Sequence, residues 1–414
     1  MAMSTKKYTA PALLAITGLL LAGCAPSVEE QQSGSTDTET DNNNSSETTE
    51  TEELKDPVQV AVITTLSGAF APYGEAYEAG FVAGLDYATD GTMVVNGHPI
   101  EVTYYDDALS ADTAVSTMKD VIGQGTQIIA GTVASGIALQ LAEQAAQNQV
   151  LFISGPAAAD AITGVNEYTF RSGRQTYQDV ATAGTFLGDP SGQDIVVFAQ
   201  DTAFGQGNVA GVEAVLGGQG ANVSSILVPE DATEFTPFAQ QINDASPDLV
   251  FVAWAGTTSG AMWEALTQQG VFETAPVVTG LGDVSTYGAY AAAGTEISFL
   301  NHYFAGAAGT DVEQEMLTRV EAAGEEGDLF TPDGFLGAQM VVEAIKGSAT
   351  DVSAMISALE GLTIEGPKGT TTIRAEDHAV IQPMFQASLV DNGGVFTPEL
   401  ISVIDGETVA PPLP

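Results

Sequence analysis

The chain has 414 residues, of which 54 are acidic and 10 are basic, so its formal net charge is -44 at pH 7. A folded body this acidic has no basic patch for nucleic acid or anionic lipid, and we exclude both as its partners. The single cysteine, Cys24, excludes an internal disulfide, so stability has to come from a buried core.

The N-terminal residues have the features of an export signal. Lys6 and Lys7 precede an apolar run over residues 10–21, which is too short to span a membrane comfortably. The run ends in LAGC, which resembles the lipobox of bacterial lipoproteins, where the cysteine sulfur receives a diacylglycerol and becomes the new N-terminus. We expect residues 1–23 to be a signal peptide and Cys24 to be lipidated. The alternative is an ordinary secretory signal with an incidental cysteine.

Residues 24–56 are predicted to be a disordered acidic tether. They are rich in Ser, Thr, Glu, Asp, Asn and Gln, with almost nothing apolar between Val28 and Leu54. Such a segment cannot bury enough surface to offset the entropy of ordering, and its like charges repel one another. The tether would hold a folded body a few nanometres outside a membrane.

From Pro57 onwards, short apolar runs alternate with helical patterns. In the first half of the body, the runs predict strands at 58–64, 100–105, 127–130 and 150–154. Helical periodicity predicts helices at 73–88, 111–122 and 136–147.

The same pattern begins again after residue 194. It predicts strands at 195–199, 223–228, 249–253 and 276–279, with helices at 205–217, 235–244 and 258–270. Strands that alternate with helices of this length indicate parallel sheets built from βαβ units. About 360 residues is too many for one such core. We therefore predict two α/β lobes, with the ligand in the cleft between them, outside the carboxyl ends of the strands.

Five segments of the body, taken in order, resemble the leucine/isoleucine/valine-binding family. They are VAVITTLSGAFAPYGEAYEAGFVAGLDY (60–87), YYDDALSADTAV (104–115), YTFRSGRQTYQDV (168–180), QDTAFGQGNVAGVEAV (200–215) and GPKGTTTIRAEDHAVIQPMFQASLV (366–390). These proteins are substrate-binding subunits of ABC importers for branched-chain amino acids and related compounds. The resemblance implies the type I periplasmic binding protein fold, with two doubly wound parallel-sheet lobes joined by a three-crossing hinge. Lobe 1 would take residues 57–175 and 303–368, and lobe 2 would take 176–302 and 369–414.

The sequence contains partial matches to two enzyme motifs. Ser116 and Lys119 match the S-x-x-K pattern of penicillin-interacting enzymes, but neither S-D-N nor K-T-G accompanies them, and both residues are expected to face solvent on a helix. Residues 205–210 match G-x-G-x-x-A, yet the next strand does not end in the acidic residue of a dinucleotide site. No G-x-S-x-G occurs, and the three histidines are scattered. We expect a binding protein that is not an enzyme and that uses neither a cofactor nor a metal.

The resemblance implies several ligand contacts from lobe 1. Ser135 and Gly136, in the loop after the third strand, would bind a ligand carboxylate, and a helix that begins there would favour an anion. Ser135 as a plain helix N-cap is the alternative. Pro156, Ala157 and Ala158 would supply backbone carbonyl and N–H contacts. The family often has a threonine at the position of Ala158. The alanine in this chain removes one hydrogen-bond partner for a ligand ammonium group.

Other contacts implied by the resemblance lie on both sides of the cleft. Tyr73 would cover the cleft, Phe204 would form an apolar wall, and Trp254 would stand at the cleft edge after its strand. Asp283 would bind the ligand ammonium group, or would instead cap the segment that begins at Ser285. Exposure of Tyr73 and core packing of Trp254 are the corresponding alternatives.

The sequence thus predicts a monomeric, lipid-anchored binding protein of an ABC importer, on the outer face of the cell membrane or in the periplasm. Its ligand would be a branched-chain amino acid or a similar small amphipathic solute, captured by hinge closure and delivered to the permease subunits. The alternative is an extracellular ligand-sensing module that reports to a membrane receptor.

Overall fold

A computed structural model describes residues 6–8, 54–290 and 297–413. Cys24 and nearly all of the predicted signal peptide and tether lie outside the described residues. Within them, the predicted α/β fold is confirmed: each strand and helix predicted from the sequence is present, with ends that differ by a few residues.

The first sheet belongs to lobe 1. Its strands are β1 (Lys6–Tyr8), β2 (Val58–Thr64), β3 (Val94–Val95), β4 (His98–Asp106), β5 (Ile128–Ala130), β6 (Leu151–Ser154) and β7 (Thr169–Arg171). Their order is β1-β4-β2-β5-β6-β7, and β3 pairs with β4. The strands from β4 to β7 in this order are parallel to their neighbours, whereas β1 and β3 are antiparallel to β4.

The second sheet belongs to lobe 2 and repeats this arrangement. Its parallel strands are β8 (Asp194–Gln200), β9 (Asn222–Val228), β10 (Leu249–Ala253), β11 (Val277–Gly280) and β12 (Ile297–Asn301). Their order is β9-β8-β10-β11-β12. In both sheets the second strand of the parallel set lies on one side of the first and the later strands lie on the other, which is the doubly wound topology.

The last strands are divided between the lobes. A small antiparallel sheet contains β13 (Thr363–Gly366), β14 (Gly369–Ile373) and β15 (Val380–Ile381). Ile373 and Val380 pack in the core of lobe 1, beside helices and strands of the first sheet. The hairpin of β16 (Met384–Asp391) and β17 (Phe396–Ile404) then extends the second sheet, with β16 antiparallel to β12.

Helices cover both faces of the two large sheets. They are α1 (Ala71–Ala88), α2 (Ala111–Gly123), α3 (Ser135–Asn148), α4 (Thr176–Gly184), α5 (Ala203–Val215), α6 (Thr236–Ala245), α7 (Ser259–Gln268), α8 (Val271–Thr274), α9 (Asp311–Ala322), α10 (Thr331–Gly347) and α11 (Val352–Leu359). None of the helices in the described residues is long and apolar enough to cross a membrane.

The chain crosses between the lobes three times, at residues 172–175, 302–310 and 382–383, between elements that belong to different sheets. The predicted division between residues 368 and 369 is wrong. Gly366 pairs with Gly369 in the β13–β14 hairpin, so a division there would cut a turn that belongs to lobe 1. The third crossing comes after β15 instead.

Close packing of α1 against α10 positions the lobe 1 side of the cleft. At Gly334 in α10, a Cβ atom would lie 2.0 Å from the carbonyl oxygen of Tyr77 in α1, so only glycine permits this approach. Tyr73, near the start of α1, and Phe330, just before α10, meet edge to face with ring centroids 5.1 Å apart. Both aromatic rings are thereby held at the cleft by a rigid helix pair.

Candidate ligand-binding site

A cavity of about 540 Å³ lies between the two lobes. It is lined by the segments that follow β2 and β5 in lobe 1 and by those that follow β8 and β10 in lobe 2. These are the points in each sheet where successive connections leave in opposite directions, and ligands of doubly wound folds bind there.

Most of the residues predicted for the site line this cavity. They are Tyr73, Ser135, Gly136, Pro156, Ala158, Phe204 and Trp254. Two predicted residues, Ala157 and Asp283, are buried but do not belong to the cavity lining.

The lobe 1 end of the cavity is formed by the N-terminus of α3. Ser135 is the first residue of this helix, and its hydroxyl oxygen accepts a hydrogen bond of 3.2 Å from the N–H of Ala159. The hydroxyl proton therefore remains available to a ligand. The amides of Ser135 and Gly136 point out of the first turn, where backbone N–H groups have no partner within the helix. Together these donors can bind an anionic oxygen.

A buried carboxylate holds the loop that leads into α3. Asp107 accepts hydrogen bonds from the hydroxyl groups of Thr65 and Thr132, and it is fully buried. Burial raises the pKa of Asp107, while these hydroxyl groups act in the opposite direction. Asp107 thus ties the loop after β2 to the loop after β5 and fixes the position of the α3 N-terminus.

The loop over Pro156–Ala159 is held by two arginines, one at the end of β7 and one in the first crossing. Arg171 donates to the carbonyl oxygens of Ala157 and Ala159 at 2.6 and 3.0 Å. Arg174 donates to the carbonyl oxygen of Pro156 at 2.8 Å. The carbonyl groups that were expected to contact the ligand thus already accept hydrogen bonds from buried cations.

Ala158 and Ala157 differ in their relation to the cavity. The carbonyl oxygen of Ala158 accepts hydrogen bonds from the N–H and hydroxyl of Thr176, at 2.8 and 3.1 Å. Ala158 lines the cavity, whereas Ala157 packs into the apolar core behind it. The loop thus presents an alanine at the cavity and no side-chain acceptor.

Arg174 also lines the cavity, and sequence reasoning missed it. Its Nε lies 3.3 and 3.2 Å from the two carboxylate oxygens of Asp179, and its guanidinium lies over the ring of Phe330, 5.6 Å from the centroid. The residue is only 7% exposed. His302 also stacks on Phe330, with ring centroids 4.9 Å apart, and is kept neutral because burial moves its pKa well below the usual value. Arg174 is therefore the cation at the cavity floor.

Aromatic side chains form the walls. On lobe 1, Tyr73 contacts Phe70 as well as Phe330, with the first pair of ring centroids 5.5 Å apart. On lobe 2, Trp254 stacks on Phe198 at 5.3 Å, and its indole N–H donates to the hydroxyl of Thr258 at 3.0 Å. Trp254 is only partly buried, so it both packs on the core and lines the cavity.

Phe204 lines the cavity from lobe 2, at the start of α5. It is partly buried and packs against the core of that lobe. A phenyl group at this position adds apolar surface to the wall and offers no hydrogen bond to a ligand.

Asp283 caps a turn and does not line the cavity. Its carboxylate accepts hydrogen bonds from the N–H and the hydroxyl of Ser285, and its carbonyl oxygen accepts from the Thr286 hydroxyl at 2.7 Å. It is 4% exposed. Asp283 thus has the alternative role expected from the sequence, which is to cap the segment that begins at Ser285.

Tyr73 lines the cavity where the two lobes meet. The backbone of Gly256 in lobe 2 lies beside its phenol group. Burial raises the pKa of Tyr73 far above its usual value, and the charge of Asp283 adds to the effect. The phenol is therefore neutral at physiological pH.

Lobe 1 contains a second buried ion pair. Lys368, in the turn between β13 and β14, has its ammonium nitrogen 4.0 Å from a carboxylate oxygen of Asp333 in α10. Burial lowers the pKa of Lys368 to about 8 and raises that of Asp333 to about 6. Both shifts have the direction expected for charges removed from water. Arg171, Arg174 and Lys368 thus bring three cations together beside the cavity of a strongly acidic protein.

Comparison with known proteins decides the family. A family model described as periplasmic binding protein matches residues 57–394. The chain belongs to the periplasmic binding protein family. As the predicted resemblance implied, it is a solute-binding protein of the ABC-transporter type and not an enzyme, and the family implies a periplasmic or other extracytoplasmic location.

This periplasmic binding protein has relatives along most of its length. The Leu/Ile/Val-binding protein homolog 3 of Brucella melitensis is 22% identical over 347 residues, which cover 82% of this chain and 92% of the relative. The crystal structure of an ABC-type branched-chain amino acid transporter protein from Rhodopseudomonas palustris is 29% identical, with a TM-score of 0.73, and the match covers 86% of this chain and 99% of that one.

A second solved structure shares the fold at lower identity. It is a solute-binding protein of an ABC transporter from Rhodopseudomonas palustris in complex with 4-hydroxybenzoate. It is 19% identical, with a TM-score of 0.76, and the match covers 85% of this periplasmic binding protein and 97% of that chain.

The missed site residues left faint signals in the sequence. Arg171 and Arg174 are the only basic residues between Lys119 and Arg319. In an acidic protein, an isolated pair of arginines at the boundary between two lobes indicates a structural or ligand-binding role. Phe330 gave no such signal, because its place at the cavity depends on the return of the chain to lobe 1.

Proposed function

We propose that this chain is the lipid-anchored substrate-binding subunit of an ABC importer and that it captures a small amphipathic solute between its lobes. The observation that carries the proposal is the shape and chemistry of the cavity. Hydrogen-bond donors of Ser135, Gly136 and Arg174 line the cavity together with aromatic side chains from both lobes. A solute with one polar end and an apolar body fits this combination.

The names of relatives are consistent with such a solute. One relative is named for leucine, isoleucine and valine, and a protein of the same fold was solved with 4-hydroxybenzoate. These compounds share a carboxylate and a small apolar body. Branched-chain amino acids and compact aromatic acids are therefore the first candidates for this chain.

Capture is proposed to proceed by closure of the lobes about the three crossings. The carboxylate would bind first to the N-terminus of α3 in lobe 1, and lobe 2 would then bring Phe204 and Trp254 against the apolar body. Closure also forms the contact between Tyr73 and Gly256. Since a ligand that touches both lobes stabilises the closed state, its binding shifts the population toward the form that a permease would recognise.

The proposed anchor rests on the sequence alone. A diacylglycerol on Cys24 would supply two acyl chains, which hold a protein stably to a membrane where one chain is marginal. The polar residues up to Asp56 would then allow the lobes to reach the permease.

A thermal-shift screen tests the capture of an amphipathic solute. Branched-chain and aromatic amino acids, their deaminated acids and their neutral amides would each be added to the purified protein. A ligand at a hundredfold excess over its Kd adds about 2.7 kcal/mol to stability, so a true ligand raises the melting temperature by several degrees. If sugars or inorganic ions raise it and no amphipathic solute does, the proposal fails. Loss of uptake of the stabilising solute in cells without the protein would distinguish transport from sensing.

A further inference from the structure

We infer that the preferred ligand is a small monocarboxylate with an apolar body and no α-ammonium group. This inference rests on the proposed function of the same cavity and specifies its ligand. It follows from which polar groups of the lining are free and which are already engaged.

The backbone acceptors nearest the carboxylate-binding end are engaged. The four successive carbonyl oxygens of Pro156–Ala159 accept hydrogen bonds from Arg171, Arg174 and Thr176. Ala158 contributes only a methyl group to the cavity. An ammonium group placed beside a carboxylate at Ser135 therefore meets carbonyl oxygens that already accept a hydrogen bond from the protein.

The carboxylates around the cavity are equally unsuited to an ammonium group. Asp283 lies outside the lining and holds Ser285. Asp179 lines the floor, but both of its oxygens face the Nε of Arg174. Glu230 lies at the rim, where it is exposed and where water screens its charge. The described part of the lining thus lacks a buried carboxylate that is free of a cation.

Donors, by contrast, remain available at the cavity. The hydroxyl oxygens of Ser135 and Thr202 each accept from a backbone N–H, which leaves their protons for a ligand. The side-chain oxygen of Gln200 accepts from the N–H of Ala255 at 3.1 Å, so Gln200 presents its amide N–H₂ group. Arg174 uses Nε and Nη1 for protein contacts and also belongs to the cavity lining, so Nη2 is the donor that it can offer to a ligand.

The excess of free donors over free acceptors discriminates between a carboxylic acid and the corresponding α-amino acid. A carboxylate exchanges water for several donors, one of them charged, and charge-assisted hydrogen bonds are the stronger kind. An α-ammonium group would lose its water and meet the same donors, and a buried charge without a partner is strongly disfavoured. Specificity then arises from unfavourable binding of the ammonium group as well as from favourable binding of the carboxylate.

Matched ligand pairs test the inference by isothermal titration calorimetry of the whole folded body. The pairs are 4-methylpentanoate with leucine and 3-phenylpropanoate with phenylalanine, which differ only in the α-ammonium group. We expect the better of the two deaminated acids to bind at least about tenfold more tightly than its amino acid, as for the loss of one charged hydrogen-bond partner. Equal or tighter binding of the amino acid would overturn the inference and leave the proposed function intact.

The neutral amides of the same acids distinguish failure of this inference from failure of the proposed function. If 4-methylpentanamide or 3-phenylpropanamide binds and the acids do not, the inference is wrong and capture of an amphipathic solute stands. If none of the acids, amino acids or amides binds, both the inference and the proposed function are wrong.

Variants then test the assigned groups. Arg174→Gln should weaken the acid by about tenfold or more and leave the amide nearly unchanged, whereas Arg174→Lys should retain part of the preference. Because Arg174 also holds Pro156, Ser135→Ala provides an independent variant that should weaken the acid by about fivefold to tenfold. Ala158→Thr adds a hydroxyl acceptor to the lining. The ratio of the Kd of leucine to the Kd of 4-methylpentanoate should therefore decrease. An acid-to-amide ratio that stays unchanged in both folded Arg174→Gln and Ser135→Ala would overturn the assignment.

Discussion

The backbone N–H of Val284 donates a hydrogen bond of 3.1 Å to the carboxylate of Asp328. Val284 follows β11 in lobe 2, and Asp328 precedes α10 in lobe 1, so this contact joins the rims of the cleft. Burial raises the pKa of Asp328 to about 6, and the charges of Asp283 and Glu326 act in the same direction. A carboxyl group with a shifted pKa therefore lies where the lobes meet.

The contribution of Asp328 to the stability of the protein should fall as the pH rises from 4 to 7.5. The folded-state pKa of Asp328, about 6, exceeds its ordinary value of 3.8, so the folded protein binds this proton more tightly than the unfolded chain does. The stabilising contribution is complete below pH 4 and is lost as the pH rises through 6, at a cost of about 2 to 3 kcal/mol. Asp333, with its pKa also raised to about 6 by burial, contributes with the same sign.

Urea unfolding of wild type and Asp328→Asn at pH 4.5 and 7.5 measures this effect. The variant should lose less stability over the interval than the wild type. Asp120→Asn, at an exposed site on α2, is the control and should keep the wild-type pH dependence. Equal pH dependence in wild type and Asp328→Asn would contradict the assignment.

Gly256→Ala should weaken ligand binding by keeping the lobes apart. Gly256 has a φ of +83°, and a Cβ atom there would lie 2.8 Å from the Phe70 ring of the opposite lobe. Gly270 is a matched control, since its φ is +70° but its Cβ would meet nothing closer than a Glu273 oxygen at 3.7 Å. Both variants should cost roughly 1 kcal/mol of stability from backbone strain.

Calorimetry with 4-methylpentanoate separates the two glycine variants. We expect at least about tenfold weaker binding for Gly256→Ala, which corresponds to 1.4 kcal/mol, and wild-type affinity for Gly270→Ala. If both variants bind as the wild type does, the contact between Phe70 and Gly256 does not limit closure.

Added salt should stabilise the protein more than it stabilises a near-neutral one. The net charge of -44 arises from 54 acidic and 10 basic residues, and this excess repels itself at low ionic strength. Screening is nearly complete beyond about 3 Å in 1 M salt. The melting temperature should therefore rise between 20 mM and 1 M NaCl. No change over this range would count against the electrostatic argument.

Salt should also accelerate capture of an anionic ligand. A carboxylate has to approach an acidic surface before it reaches Arg174, so electrostatic repulsion slows its association at low ionic strength. Stopped-flow measurements with 3-phenylpropanoate should show an association rate that increases with NaCl. The neutral amide is the control and should show little dependence. A rate for the acid that decreases with salt would indicate attraction.

Replacing Cys24 by serine should release the protein from the membrane. Serine cannot accept the thioether-linked diacylglycerol that the LAGC ending predicts. Fractionation of cells that produce the full chain should place the variant in the soluble or secreted fraction and the wild type in the membrane fraction. Continued membrane retention of Cys24→Ser would contradict the predicted anchor.

Much of the fold could be predicted because buried parallel strands are apolar along their whole length. β2 and β10 have the predicted bounds for this reason. β17 was harder to predict, since Leu400, Ile401 and Val403 are exposed at a sheet edge and polar residues interrupt the run. The misplaced third crossing has a similar cause: residues 366–369 have the composition of a linker, but form a hairpin turn of lobe 1.

The site was predictable where function follows from position at a strand end. Ser135 and Trp254 are such residues, because each follows a strand that the sequence clearly marks. Asp283 also follows a strand, but local hydrogen bonds to Ser285 decide where its carboxylate points. Arg174 lies at the cavity because the first crossing, α4 and the loop at Pro156 come together in the folded structure. No local sequence pattern predicts that arrangement.

The clamp on the loop at Pro156–Ala159 has a consequence for how this protein can change. Its backbone is fixed by Arg171 and Arg174, so its shape does not depend on the side chain that Ala158 presents. Residues at that position can therefore be exchanged while the surrounding architecture is kept. The loop offers a place where selection, or a designer of biosensors, can retune solute preference in single steps without first rebuilding the scaffold.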